Sequence, residues 1–234
     1  MFVGSWQYIS RIPDDLRIRF GDVLIKPQSF VKNLGIYMDQ TLTFDVHIDQ
    51  MSKKVHSTLS FINRIRDTLD KETRINIIQS LVLSVINYGS KIWGMTSLQQ
   101  IERVQKLQNF ASKVAYGGIR KFDHVSPIIK ELEWLRIENK IKFDICVMVF
   151  SIVYRRLPGW LFSLPKVSEM QNQRITRQSN KLFVPRTTTD VGKRKLIVRG
   201  PSLWNCLPKD IKEINSLNNF KSKLWKHLLT QQNN

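Results

Sequence analysis

The chain has 234 residues, 42% of them hydrophobic and 10% aromatic, with only ten glycines. That composition excludes a disordered or low-complexity polymer and supplies enough apolar surface for a sizeable core. Thirty-seven lysines and arginines against nineteen acidic residues leave a formal charge of +18 and a pI near 10.1, the balance of a protein with a polyanionic partner.

The charge is spread along the chain rather than gathered beside one amphipathic helix, which favours nucleic acid over a membrane surface. No leader-like charged-then-apolar start and no run of about 18 apolar residues is present, so an intracellular, soluble chain is expected.

In chain order, "LRIRFGDVLI" alternates about Gly21-Asp22, a dipeptide suited to a hairpin turn, and Pro27 ends the second run. "FVKNLGIYM" reads as a third strand. Three strands alone make a poor domain, so they are expected to lean on a further layer.

From Thr43 the period changes, with Phe44, Ile48, Met51, Val55, Leu59, Ile62, Ile65 and Leu69 recurring at steps of three and four. Asp70 is placed to cap the next helix, whose stripe of Ile75, Ile78, Leu81, Val82, Val85 and Ile86 runs into Tyr88 and Trp93. Ser97 and Gln100 have capping-box spacing before Leu98, Ile101, Val104, Leu107, Ala111 and Val114, and Gly117-Gly118 supplies the stop.

A second helical group opens at Ser126-Pro127, serine as cap and proline in the first turn, and reaches Leu135. Another helix runs from about Glu138 through Phe143, Ile145, Met148, Val149, Ile152 and Val153 to a Leu157-Pro158-Gly159 stop. Beyond it, Leu182 to Val184 and Leu196 to Val198 read as short strands that pair across "PRTTTDVGKRK". A last helix, capped by Ser216, carries Leu217, Phe220, Leu224 and Leu228.

Few residues offer chemistry of their own. His47, His56, His124 and His227 are not spaced as metal ligands, and His47 and His56 are expected on a solvated helix flank. Cys146 and Cys206 read as reduced, buried thiols. Asp123-His124 lacks a nucleophile on a glycine-bracketed elbow, and no phosphate-cradling loop or dinucleotide fingerprint occurs. Asp14-Asp15 follows Pro13 in a polar connection, so a solvated turn is expected there rather than a two-metal site.

The strongest constellation is electrostatic. Arg174, Arg177, Lys181, Arg186, Lys193, Arg194, Lys195 and Arg199 face a single acid, Asp190, and are interleaved with Ser179, Asn180 and Thr187 to Thr189. Such a surface suits phosphate and sugar contacts, and about five phosphate contacts give a log K against log salt slope near −3.5 on single strands or −4.5 on duplex.

Five ordered stretches carry a family resemblance: "SFVKNLGIYMDQTLTFDVHI", "LVLSVINYGSKIWG", "IERVQKLQNFASKVAYGG", "DHVSPIIKELEWLRIENKIKFD" and "VPRTTTDVGKRKLIVRGPSLWNCLPKDI". Together they resemble the C-terminal portion of reverse transcriptases of jockey- and CR1-like non-LTR retrotransposons. The resemblance implies that Lys32, Leu34 and Gly35 belong to a primer-grip strand beside the 3′ end of the growing strand. It implies a thumb in the helices from Thr43 to Tyr116. It places the family's catalytic aspartates upstream of residue 1, with no catalytic residue and no cofactor in this chain, since Mg²⁺ would belong to the absent palm. The cysteine-histidine knuckle of some relatives is missing.

The expected fold is mainly α: a palm-edge β segment over residues 1–42, a thumb-like bundle over 43–118, a second helical group over 119–159 and a basic mixed region over 160–234. The expected function is that of a reverse transcriptase fragment, inactive alone as an RNA-directed DNA polymerase, that binds RNA, DNA or their hybrid and partners a palm and fingers segment. The rivals are a co-opted interaction module with Leu34, Ile36 and Met38 as its apolar face, a gene fragment without independent function, and, weakest, a self-sufficient enzyme.

Overall fold

A computed structural model describes residues 1–117, 124–154, 164–169 and 181–233. Arg174, Arg177, Gly118 and the Leu157-Pro158-Gly159 stop lie outside the described residues. The chain is mainly helical, with two small antiparallel sheets, and divides into two compact units, Met1–Asp123 and His124–Asn234.

The first unit begins with a one-turn helix, α1 (Trp6–Ile9), capped by Ser5, and an exposed turn holding Asp14 and Asp15. Strands β1 (Ile18–Phe20) and β2 (Val23–Ile25) pair about Gly21-Asp22 as expected, Gly21 taking a φ of 59°. All six strand residues are exposed.

The third expected strand is instead a second hairpin. β3 (Phe30–Asn33) pairs with β4 (Ile36–Asp39), with Lys32 opposite Tyr37 and Asn33 opposite Ile36. Leu34 and Gly35 form the two-residue turn at φ of 45° and 83°. Positive φ at both positions matches the twist of a tight hairpin, and glycine accepts it freely. The continuous apolar-looking run hid the turn because leucine rarely occupies that region.

α2 (Asp45–Arg64) buries Ile48, Met51, Val55, Leu59 and Ile62 and ends before Ile65 and Leu69, where a 3₁₀ turn takes over. It packs along α6 (Leu98–Tyr116), which buries Val104, Leu107, Ala111 and Val114 at matching spacing. Ser97 caps α6 by accepting from Gln100 N–H, while the Gln100 side chain donates to Asp45 at 2.5 Å rather than closing a capping box. The Gly117 φ of 78° ends the helix.

Between these helices, Asp70 caps α3 (Lys71–Ile78) by accepting from Thr73 N–H at 2.9 Å. The helical path then widens through a π turn, Gln79–Leu83, before α4 (Ser84–Asn87) and α5 (Ser90–Trp93). The π turn inserts an extra residue into the helical repeat. Leu81 is thereby left 55% exposed instead of joining the buried stripe, while Val82, Leu83 and Ile86 turn inward.

In the second unit α7 (Ser126–Glu131) starts one residue earlier than Ser126 capping would allow; Val125 is the cap and Ser126 accepts from Arg136 at 2.8 Å. α8 (Ile137–Val153) packs against α10 (Leu196–Cys206) and α12 (Leu217–Asn233), with the Phe150 and Phe220 rings stacked at 4.4 Å and Trp204 beside them.

Residues 196–198 are helical, not a strand: α9 (Asp190–Arg194) and α10 run through the expected partner, with Pro201 inside α10. The β-branched pair Ile197-Val198 imitates strand chemistry, but Val198, Gly200, Pro201 and Trp204 form the buried face of a helix. Leu182 instead bridges Lys166, and its backbone is held by Asn205 through bonds of 3.0 and 2.9 Å. The short helix α11 (Lys209–Lys212) precedes α12.

Candidate nucleic-acid interface

The β3–β4 tip is built onto the first helical unit by specific contacts. Tyr88 donates its hydroxyl to the Leu34 carbonyl at 2.7 Å, and a Cβ at Gly35 would lie 3.4 Å from the Tyr88 ring. Ile36, 5% exposed, is the hairpin's anchor in the core. A Cβ at Gly89 would stand 2.4 Å from the Ile36 side chain, so Gly89, at a φ of 62°, leaves the space that Ile36 enters.

The passage from hairpin to helix is organised by Asp39. One carboxylate oxygen accepts from Thr41 N–H at 3.1 Å, the Thr41 hydroxyl at 2.9 Å and Thr43 N–H at 2.9 Å; the other accepts from Phe44 N–H at 2.6 Å. Burial pushes the Asp39 carboxyl up, yet the hydrogen bonds from Thr43, Thr41 and Phe44 together outweigh it and hold it below its ordinary value. These bonds offset the strain of Leu42 and Phe44 at φ of 54° and 60°.

Beside the hairpin lies a cavity of about 390 Å³, within the size range of ligand sites. The hairpin gives it Lys32, Gly35 and Tyr37, α2 gives His47, Gln50, Met51 and Lys54, and the segment past the π turn gives Val85 and Tyr88. Lys32 holds its ammonium 5.1 Å from the Tyr37 ring centroid, a cation–π distance. Lys32 and Lys54 are exposed. His47 is only 7% exposed, not on a solvated flank, and its Nε2 has no hydrogen-bond partner. Burial pushes its pKa below the ordinary histidine value, which keeps the ring neutral near pH 7.

Of the grip residues named from sequence, Lys32 and Gly35 line this cavity and Leu34 stands at the tip, 84% exposed. His47, Lys54, Tyr37 and Tyr88 escaped sequence reading as a group. Their one local signal is that His47, Gln50 and Lys54 recur at i, i+3 and i+7 on one face of α2.

In the second unit Lys181, Arg186, Lys193 and Lys195 are exposed, with Lys193 paired to Asp190 at 3.1 Å. Arg194 is half-buried and donates to the Asp190 carbonyl at 3.3 Å. Arg199 is half-buried too: burial lowers its guanidinium pKa, partly countered by the Glu138 carboxylate. Cys146 is buried, whereas Cys206 is exposed, contrary to the expectation of two buried thiols. Its place at the C-terminal end of α10, whose buried face is carried by Val198, Gly200, Pro201 and Trp204, leaves it facing solvent. Among the described residues no cluster of three or more His, Cys, Asp or Glu side chains is arranged to hold a metal, and no helix is long and apolar enough to cross a membrane.

The fold and the basic, aromatic-lined cavity define a mainly helical chain with a hairpin mounted on a helical bundle. Its sequence is similar to the probable RNA-directed DNA polymerase from transposon X-element of Drosophila melanogaster, 23% identical over 99 residues. It is also similar to the probable RNA-directed DNA polymerase from transposon BS of the same fly, 27% identical over 100 residues. Each match covers 41% of this chain and 11% of the relative, so the chain spans a small part of the curated relatives it matches. The likeness is thus to part of two probable RNA-directed DNA polymerases from transposons. No protein-family model and no solved structure matches.

Proposed function

We propose that the chain is the primer-grip, thumb and tail portion of a jockey/CR1-like reverse transcriptase and that its own activity is to bind nucleic acid. Lys32, Leu34 and Gly35 form the tip presented to a strand, and the helices from Asp45 to Tyr116 form the thumb. On this reading the polymerase activity of the relatives is one to which the chain contributes without carrying it alone.

The observation that supports it best is the Tyr88-held hairpin tip, which sets Lys32 and Gly35 beside Lys54 on the rim of an open cavity. Lysines in such a place neutralise phosphates without reading sequence, and a bare glycine lets a backbone come close. The exposed Lys181, Arg186 and Lys195 add a phosphate-contact surface on the second unit. Of the apolar trio suited to a protein partner, Ile36 is buried in the core and Leu34 alone is fully exposed, which disfavours the interaction-module reading.

Filter binding of the full chain to single-stranded and duplex oligonucleotides across a salt series tests the proposal. Affinity that falls with salt and varies little with sequence is expected; undetectable or salt-independent binding overturns it.

A further inference from the structure

The solvent face of α12, in the second unit, is chemically uniform. Phe220, Leu224 and Leu228 turn inward. Every exposed residue described on the helix carries an amide, a hydroxyl or an ammonium group, and no acidic residue occurs from Leu217 to the last residue. Such a face is attractive only to a polyanion. Lys221 and Lys226 have no ion-pair partner among the described residues. Lys223 meets Asp210 at 3.9 Å with both side chains more than half exposed, a pair that water screens.

The face also has a shape. At about 3.6 residues per turn, Lys221 and Lys223 stand about 100° to either side of Ser222 around the helix axis. Asn218, Ser222 and Lys226 follow one another along the middle at steps of four, so they stack on one side of the helix. Short polar side chains therefore form the crest, and lysines reach outward from both flanks.

These features select among polyanions. Single strands are held on aromatic platforms, and no exposed residue of α12 is aromatic; Trp225 is turned edge to face onto Phe143, with ring centroids 5.3 Å apart. A duplex groove has a phosphate wall on each side, which suits lysines on opposed flanks. The major groove of B-form DNA, about 12 Å wide, admits a helix about 10–12 Å across, whereas the A-form major groove is too deep and narrow.

We propose that α12 seats its Ser222 crest in the major groove of B-form duplex DNA, with Lys221 and Lys223 on the phosphates of opposite walls, Lys226 on a phosphate further along, and Asn218 toward the groove floor. The inference rests on the nucleic-acid reading above and narrows it, giving the second unit a contact of its own and a preference for duplex DNA.

The test is fluorescence anisotropy of the full chain with four labelled probes of one sequence: duplex DNA, the same duplex with glucosylated 5-hydroxymethylcytosine filling its major groove, duplex RNA and single-stranded DNA. The filled duplex is expected to bind at least about tenfold more weakly than the plain one, a decade in Kd. In Lys221→Ala/Lys223→Ala/Lys226→Ala, three exposed positions, the melting temperature is expected to be unchanged and the plain and filled duplexes to bind alike. The slope of log K against log salt on plain duplex DNA is expected to be shallower by about 2.7, about 0.9 for each phosphate contact, with duplex RNA and single-stranded DNA little affected.

Equal binding of plain and filled duplexes by the parent overturns the groove seat without recourse to any substitution. A triple variant that keeps the parent's slope, or that loses duplex RNA as strongly as duplex DNA, overturns it too. If salt-dependent binding of the other probes survives such a result, the α12 contact alone fails; if no probe binds, the nucleic-acid reading fails with it.

Discussion

The Tyr88 hydroxyl donates to the carbonyl of Leu34 across 54 residues of sequence, at 2.7 Å, and so ties the tip of a hairpin to the helical segment that follows the π turn. A neutral hydrogen bond at an exposed site stabilises by about 0.5–1.5 kcal/mol. Tyr88→Phe is therefore expected to lower unfolding free energy by about that amount in urea denaturation, and to weaken oligonucleotide binding more than its stability cost because the tip is released.

Leu34 itself is a misfit. At a φ of 45° and 84% exposed, it bears left-handed strain with almost no burial in return. Leu34→Asn, whose side chain tolerates that region, is expected to raise stability by about 0.5–1 kcal/mol, read as a higher urea midpoint at unchanged slope. Gly35→Ala next to it is expected to do the reverse, since a Cβ there meets both a φ of 83° and the Tyr88 ring.

Asp39 decides how the hairpin enters α2. Asp39→Ala leaves the Thr43 and Phe44 N–H groups without their acceptor, and charged hydrogen bonds of this kind are worth about 1.5–3 kcal/mol. A loss of about 2–3 kcal/mol is expected. Because the folded pKa lies below the unfolded one, the Asp39 contribution is present above the ordinary carboxylate value of 3.8 and is lost as pH falls through the depressed folded value.

His47 acts in a different window. Its folded pKa lies below the ordinary 6.5, so the unfolded chain binds more protons there, and stability rises with pH through that interval. Acidification below 6.5 is thus expected to destabilise the first unit, and His47→Asn to flatten that part of a melting-temperature against pH profile.

The two thiols are expected to separate cleanly under alkylation. Burial pushes the Cys146 thiol up to about 12, whereas Cys206 is exposed. Native protein treated with iodoacetamide at pH 8 is expected to gain one label, on Cys206, and a second only after unfolding, as read by intact and peptide mass.

Much of this architecture was legible in the sequence, and what was missed has physical causes. The α2, α6 and α12 stripes read correctly because each buries one face at steps of three and four, and Ser97, Asp70 and Gly117 mark helix ends by chemistry local to the chain; in α8 only Ile145 and Val149 of the expected stripe are buried, beside Ile137, Ile141, Cys146 and Phe150, because its second half is apolar on nearly every side. The Leu34-Gly35 turn was hidden by a leucine where asparagine would have announced it. The π turn left no mark in composition, and Ile197-Val198 imitated a strand. His47 looked solvated because its burial comes from a hairpin and a helix distant in sequence, contacts that periodicity cannot report.

Lys32 is the test of the interface itself. The decisive measurement is fluorescence anisotropy of a labelled duplex against log salt for the parent chain and for Lys32→Ala/Lys54→Ala. Both lysines are exposed and apart from the core, so folding is expected to be intact. Tight, salt-sensitive binding by the parent is expected, with a slope shallower by about 1.8 in the double variant, about 0.9 per phosphate contact. Identical slopes for the two proteins, or no binding by the parent, would contradict it.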